Sequence, residues 1–265
     1  MRRTLQLILL PAVLAAGCAT RSPDQIDPVR YYTQKDALEA EIQQRRAEDA
    51  DADDGNLFRA IGRQFALLGD RMNSRTPIDL VRKMENTESP QDRWKAINQL
   101  VQRDFAQRPP YTDRYGEIGA GNPTANGSAD PDYLVRAVAI RALNRSRQSG
   151  KTDVFIGALN DRSEVVRLEA IKALNNLPDP AAAPPLVALL ASDTEVMDVR
   201  IAAAEALRHY KRIEVARALI AALGDRDFGI AWQSRRSLHR LMETDLGYDQ
   251  GKWLTYITGP AKPFG

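Results

Sequence analysis

The chain has 265 residues, 6% of them aromatic, with 37 Lys+Arg against 35 Asp+Glu. That balance excludes a whole-molecule field for nucleic acid or an anionic membrane surface, and the single cysteine excludes an internal disulfide and a cysteine-built metal cluster. An aromatic-poor composition rich in Ala and Leu favours helix over sheet.

Residues 1–17 read as a leader. Met1-Arg2-Arg3 is basic, and the apolar run Leu5 to Leu14 is too short for the roughly 20 residues that a membrane-spanning helix needs. It leads into Leu14-Ala15-Ala16-Gly17-Cys18, which resembles the lipobox of bacterial lipoproteins, with Ala15 where that family prefers Leu. The resemblance implies cleavage before Cys18 and a thioether from its thiol to diacylglycerol. Acyl chains anchor strongly, at about 0.8 kcal/mol per buried methylene. The expected location is therefore the cell envelope, lipid-anchored and facing the periplasm. Ala19 in place of the Asp that signals inner-membrane retention favours the outer membrane. Without Arg2 and Arg3 the chain carries 35 basic and 35 acidic residues, so no nucleic-acid partner is expected.

Residues 18–56 read as a tether, with Pro23 and Pro28 among polar residues and a candidate helix over Lys35–Ala47. Asp49-Ala50-Asp51-Ala52-Asp53-Asp54 looks like the start of a calcium loop. Such a loop needs Gly sixth and Glu twelfth, where this chain has Asp54 and Ala60, so a solvated linker is expected. Residues 57–129 read as lead-in helices. Leu57, Phe58, Ile61, Phe65 and Leu68 share one helical face, and Ile78, Leu80, Val81 and Met84 mark another short helix. Ser89-Pro90 starts a third by N-cap and first-turn proline, with Trp94, Ile97, Val101 and Phe105 turned inward. Asp92 to Leu100 predicts a degenerate zeroth copy of the pattern that follows. The Gly-, Pro- and Tyr-rich stretch Pro109 to Asp130 is expected to be an ordered surface loop. Its Gly119-Ala120-Gly121 lacks the strand and the Gly-Lys-Ser/Thr ending of a phosphate loop.

Over residues 130–265 one pattern recurs. Apolar helices end in Leu143, Leu174, Leu207 and Leu238, and a second leucine follows each sixteen residues on, at Leu159, Leu190, Leu223 and Leu254. Copies of about thirty residues predict an all-α fold, a solenoid of stacked helix pairs behind N-terminal lead-in helices. Val135-Arg136, Val166-Arg167 and Val199-Arg200 open the first helices. Asp130 and Asp161 stand six residues before their arginines, Asp193 seven before Arg200, and Asp225 faces Ala231 where Arg is expected. These residues resemble HEAT-like repeats, a family that includes phycobilin lyases. The resemblance implies a hydrogen-bonded ladder of Asp130, Arg136, Asp161, Arg167, Asp193 and Arg200 that ties successive layers. Asp245 to Asp249 is expected to turn the chain into a cap closed by Trp253, Leu254, Tyr256 and Ile257.

No catalytic constellation, cofactor or metal site is expected. His209 and His239 sit on different repeats without a partnered nucleophile, and Cys18 is committed to lipid. The expected function is a non-catalytic scaffold or adaptor binding another protein. The alternative is a lyase-like or enzyme-accessory role by analogy with phycobilin lyases. Gly157, Ala188, Ala221 and then Lys252 stand two positions before the second-helix leucines. They form a column that either floors a partner groove, edged by Asp153 and Arg217, or lets repeats pack closely. Arg208, Lys211, Arg212, Arg235, Arg236 and Arg240 are candidates for a basic end patch.

Overall fold

A computed structural model describes residues 77–86, 88–120 and 129–259. Cys18, the tether with its Lys35–Ala47 helix, and the Leu57–Leu68 face lie outside the described residues. The chain divides after Ile78, with Asp79–Gly265 as its second unit.

All regular structure among the described residues is helical. In chain order the helices are α1 (Pro77–Asn86), α2 (Pro90–Leu100), α3 (Tyr111–Ala120), α4 (Tyr133–Arg145), α5 (Thr152–Ala158), α6 (Glu164–Asn176), α7 (Ala183–Ala191), α8 (Met197–Ala206), α9 (Ile213–Ala222), α10 (Phe228–Met242) and α11 (Gln250–Thr258). They form two rows. In the first, α2, α4, α6, α8 and α10 each pack on the next. In the second, α3 packs on α5, α7 on α9 and α9 on α11. The rows are joined by α3–α4, α5–α6, α7–α8 and α9–α10, so each second-row helix packs against the first-row helix that follows it. The short turns inside those last three pairs force an antiparallel hairpin.

Local chemistry sets the helix starts. Ser89 Oγ accepts from the Asp92 N–H with Pro90 at the first position. Asp132, Asp227 and Asp249 cap α4, α10 and α11 in the same way, each satisfying donors that a helix start leaves free. Pro184 and Pro185 sit in the first turn of α7, where a missing N–H costs nothing.

The core lies between the rows. Leu143, Leu174, Leu207 and Leu238 are fully buried, and Leu159, Leu190 and Leu223 nearly so. The fourth second-row leucine departs: Leu254 is 45% exposed, while Trp253 and Ile257 are buried in its place. The turn before α11 passes through left-handed Glu243 and Gly247, and it rotates the helix so that Trp253 faces inward and donates to the Gly247 carbonyl at 3.0 Å. Gln250 Nε2 donates to the Ile220 and Ala221 carbonyls at 3.0 Å each, covering the end of α9.

The expected loop over Pro109–Asp130 is a helix for ten of its residues, α3. Tyr111, Tyr115 and Ile118 are buried. Its glycines permit close approach rather than a turn. A Cβ on Gly119 would stand 2.7 Å from Ile140 Cδ1, and one on Gly116 would stand 3.4 Å from Val154. Among the described residues α2 is the first member of the row and stacks on α4.

Leu174→Ala is expected to destabilise the unit by about 2–5 kcal/mol in urea titration, the range for emptying a buried leucine site. Leu254→Ala, at the equivalent sequence position, is expected to change stability by less than about 0.5 kcal/mol, as for exposed positions.

Candidate functional site

Along the edge where the short turns lie, arginines and carboxylates form a ladder, with no bond between Glu195 and Arg200. Arg136 Nε and Nη2 grip Asp161 at 2.7 and 2.8 Å, and its Nη1 donates to the Asp130 carbonyl at 2.8 Å. Arg93 holds Asp130 at 2.9 and 3.0 Å. Arg167 holds Glu195 at 2.6 Å and the Asp161 carbonyl at 2.7 Å. Arg200 reaches Asp225 at 2.5 Å and the Leu190 carbonyl at 3.0 Å. These side chains are only 4–15% exposed.

The six-residue spacing therefore marks a different contact from the one expected of it. Arg136 and Arg167 each meet the backbone carbonyl of their own turn's aspartate, Arg200 meets the Leu190 carbonyl instead, and the carboxylate of each turn belongs to the arginine one layer earlier. Each aspartate also accepts the N–H two residues on: Asp132 for Asp130, Ser163 for Asp161 and Asp227 for Asp225, at 2.8–2.9 Å. Asp193 is not a rung. Arg200 follows Leu190 by ten residues where Arg167 follows Leu159 by eight, and with that offset Asp193 is exposed and Glu195 takes the rung position. The extra methylene of Glu195 spans the gap, and its carboxylate also takes the Val196 N–H at 2.8 Å. Asp225 is a rung for Arg200 although Ala231 stands six residues after it.

A second tie runs through the first row. Arg141 on α4 donates to Glu169 on α6 at 3.0 and 3.1 Å, and Lys172 adds a third bond at 3.1 Å. Glu169 is 5% exposed, and nothing in its sequence position distinguished it from a surface charge. At the far ends of these helices, Asn176 donates to Asn144 at 3.3 Å, and His209 Nε2 lies 3.0 Å from Asn175 Oδ1. Burial, then the charges of Arg208 and Arg240, hold His209 below the usual histidine range. His239 Nδ1 donates to the Thr244 carbonyl at 3.1 Å. The two histidines are structural contacts in separate layers. Among the described residues no three His, Cys, Asp or Glu gather in a group able to hold a metal ion.

On the second row, Gly157, Ala188, Ala221 and Lys252 are all exposed, as are Asp153 and Arg217. A Cβ on Gly157 would meet nothing within 4 Å. These small residues do not serve close packing between repeats; they face outward on α5, α7, α9 and α11. Ala221 also lines a cleft of about 710 Å³ between the ends of α7 and α9, with Leu190, Asp193, Ala218, Arg200 and Asp225. Gly157, Ala188, Asp153 and Arg217 are not part of that cleft. Of the basic end candidates, Arg208 pairs with Glu205 at 2.7 Å and Arg235 with Asp245 at 2.6 Å.

Residues 125–208 match the family model of HEAT repeats. The matched stretch spans α4 to α8 and the rungs from Asp130 to Arg200. Among solved structures, the complex of CpcE and CpcF of phycocyanin lyase from Nostoc sp. PCC7120 is similar. It has 19% sequence identity and a TM-score of 0.52, covering 70% of this chain and 71% of that one. Human deoxyhypusine hydroxylase in complex with glycerol matches at 19% identity and a TM-score of 0.35, covering 67% of this chain and 77% of that one. No curated protein matches the chain. At this identity the likeness to the lyase complex is one of fold.

The ladder sets a pH dependence. Burial by itself would raise the Asp161 carboxyl, but the hydrogen bonds from Arg136 and the Ser163 N–H, with the charge of Arg136, outweigh it and leave the group below its usual range. Glu169 is likewise lowered, burial being overcome by Arg141 and Lys172. A carboxylate whose folded pKa is depressed stabilises the fold above its unfolded pKa, near 4, and loses that contribution as the pH falls through the folded value. The urea midpoint is expected to be insensitive to these two groups from pH 7 to about 5 and to fall below about pH 4, less steeply in Asp161→Asn. A double-mutant cycle on Arg136 and Asp161 is expected to give a coupling of about 0.5–3 kcal/mol. The cycle on Asp161 and Arg167 with alanine is expected to be close to additive, because Asp161→Ala keeps the carbonyl that Arg167 binds.

Proposed function

We propose that this protein is a non-catalytic scaffold that binds another protein at the cell envelope, held to a membrane by lipid on Cys18. The observation that carries the reading is the outward-facing column of Gly157, Ala188 and Ala221 on the second row. Small exposed side chains on successive parallel helices let a partner backbone approach closely, and the adjoining cleft at Ala221 offers both apolar walls and paired charges. A solenoid presents such an extended surface without needing a pocket. The similar fold in the CpcE–CpcF structure is found in a complex of two proteins, which is compatible with a protein partner here. The anchor rests on the lipobox-like Leu14 to Cys18, and no helix among the described residues is long and apolar enough to cross a membrane.

The competing reading is a lyase-like or enzyme-accessory role, favoured by the lyase named in that same structure. Crosslinking in intact cells, followed by mass spectrometry of what copurifies, separates the two. The scaffold reading expects a reproducible envelope protein and no bound chromophore or small molecule; the reverse result favours the lyase-like role. Ala188→Glu and Ala221→Glu are expected to leave the melting temperature within a few degrees, as exposed positions do, while copurification of the partner is lost. Cys18→Ser is expected to shift the protein to the soluble fraction or leave it unprocessed. A cleaved variant that still requires detergent would remove the anchor from the account.

A further inference from the structure

Among the described residues α10 is the last helix of the first row, and the face of α10 on which another layer would stack is chemically distinctive. Its register is set by the ladder. One residue past the ladder position, α8 presents Ile201 to the next helix; a Cβ on Gly229 of α10 would stand 3.0 Å from Ile201 Cδ1. Five residues past that position, α4 presents Arg141, which grips the buried Glu169 of the next helix through two bonds. In α10 the ladder position is Ala231, so these two places fall to Trp232 and Arg236. Trp232 is 43% exposed, and the Arg236 guanidinium lies over its ring at 4.6 Å. Phe228, 69% exposed, leans on Tyr248 with ring centroids 6.1 Å apart. Arg235 is occupied by Asp245. Arg236 has no carboxylate partner among the described residues.

We propose that this open face of α10 docks a helix from another protein that carries an acidic side chain, seated as a further layer of the first row. The α4–α6 layer supplies the template: Arg141, five residues past the ladder position, takes Glu169 from the succeeding helix, and Arg236 repeats the arginine half of that pair. The indole beneath it adds apolar area and a cation–π contact, a combination enriched at protein interfaces. A second copy stacked tail to head does not supply the other half. In the register where α6 has Glu169, α2 has Lys95, exposed between Gln91 and Gln99, so Arg236 would meet a cation. The inference rests on the protein-binding reading above and names a seat for the partner away from the second-row column.

The test uses the full chain in the cells that make it, with the photo-crosslinker p-benzoylphenylalanine placed at Trp232 or, separately, at Ala221. The expected result is a protein adduct at position 232. Its crosslinked peptide lies in a helix bearing Asp or Glu, and the adduct falls at least tenfold in Arg236→Glu with the melting temperature unchanged. Adducts at position 221 alone would overturn the end-face seat and leave the protein-binding reading standing. No protein adduct from either position would overturn both. A lipid adduct at position 232 would make the face a membrane contact, and an adduct indifferent to Arg236→Glu would remove the acidic helix.

Discussion

Arg136 and Arg167 each hold two turns at once, and the stacking of the layers between them depends on that double grip. The guanidinium of Arg136 donates to a carbonyl of the turn that starts its own helix and to a carboxylate of the next turn, 25 residues on. Leucine packing between the rows provides most of the stabilisation, but it is non-directional. The planar fork of arginine is directional; Arg93 and Arg136 meet their carboxylates through two nitrogens, Arg167 and Arg200 through one. The fork fixes how far one layer is rotated and shifted against the next. Nearly buried charge pairs add little net stability compared with apolar side chains of the same volume, whereas losing one partner strands the other. The ladder is therefore a device for register more than for stability.

The same grip accounts for how the array departs from regularity. In the turn between α7 and α8 the rung is Glu195 in place of Asp193, and Asp193 lines the cleft beside Ala221. At α10 the arginine is replaced by Ala231, so no grip reaches forward. Arg235 instead closes on Asp245 within the terminal turn, whose carboxyl, hydrogen-bonded by Arg235 and the Gly247 N–H, is held down to about 2. Trp232 and Arg236 stand at the surface of α10. The first row ends in an aromatic and cationic face, and the second row carries a column of small side chains.

The fold was legible because its signals repeat. The sixteen-residue leucine offset located both rows, and it failed only at Leu254, where left-handed turn residues rotate the last helix. The ladder was half legible. A spacing of six within one copy does not say whether an arginine meets a carbonyl or a carboxylate, and the true partner lies one layer away. Helix α3 was hidden by Gly116 and Gly119, which carry poor helix propensity. The i, i+4, i+7 spacing of Tyr111, Tyr115 and Ile118 was the signal that would have found it. Glu169 was not legible, because burial of a charge depends on the neighbouring layer. The outward direction of Gly157, Ala188 and Ala221 needed coordinates for the same reason: small residues suit a tight interface and an open surface equally well.

Native-state amide hydrogen exchange across the array in Arg136→Gln tests the double grip most directly. If the arginine sets register between neighbouring layers, the Ser163 amide, which donates to Asp161 at 2.8 Å, loses protection together with the first turns of α4 and α6. Protection in α10 and α11, two layers away, then stays as in the unaltered protein, as nearest-neighbour stacking requires. Unchanged protection at Ser163, or a loss spread evenly from α4 to α11, would contradict the account.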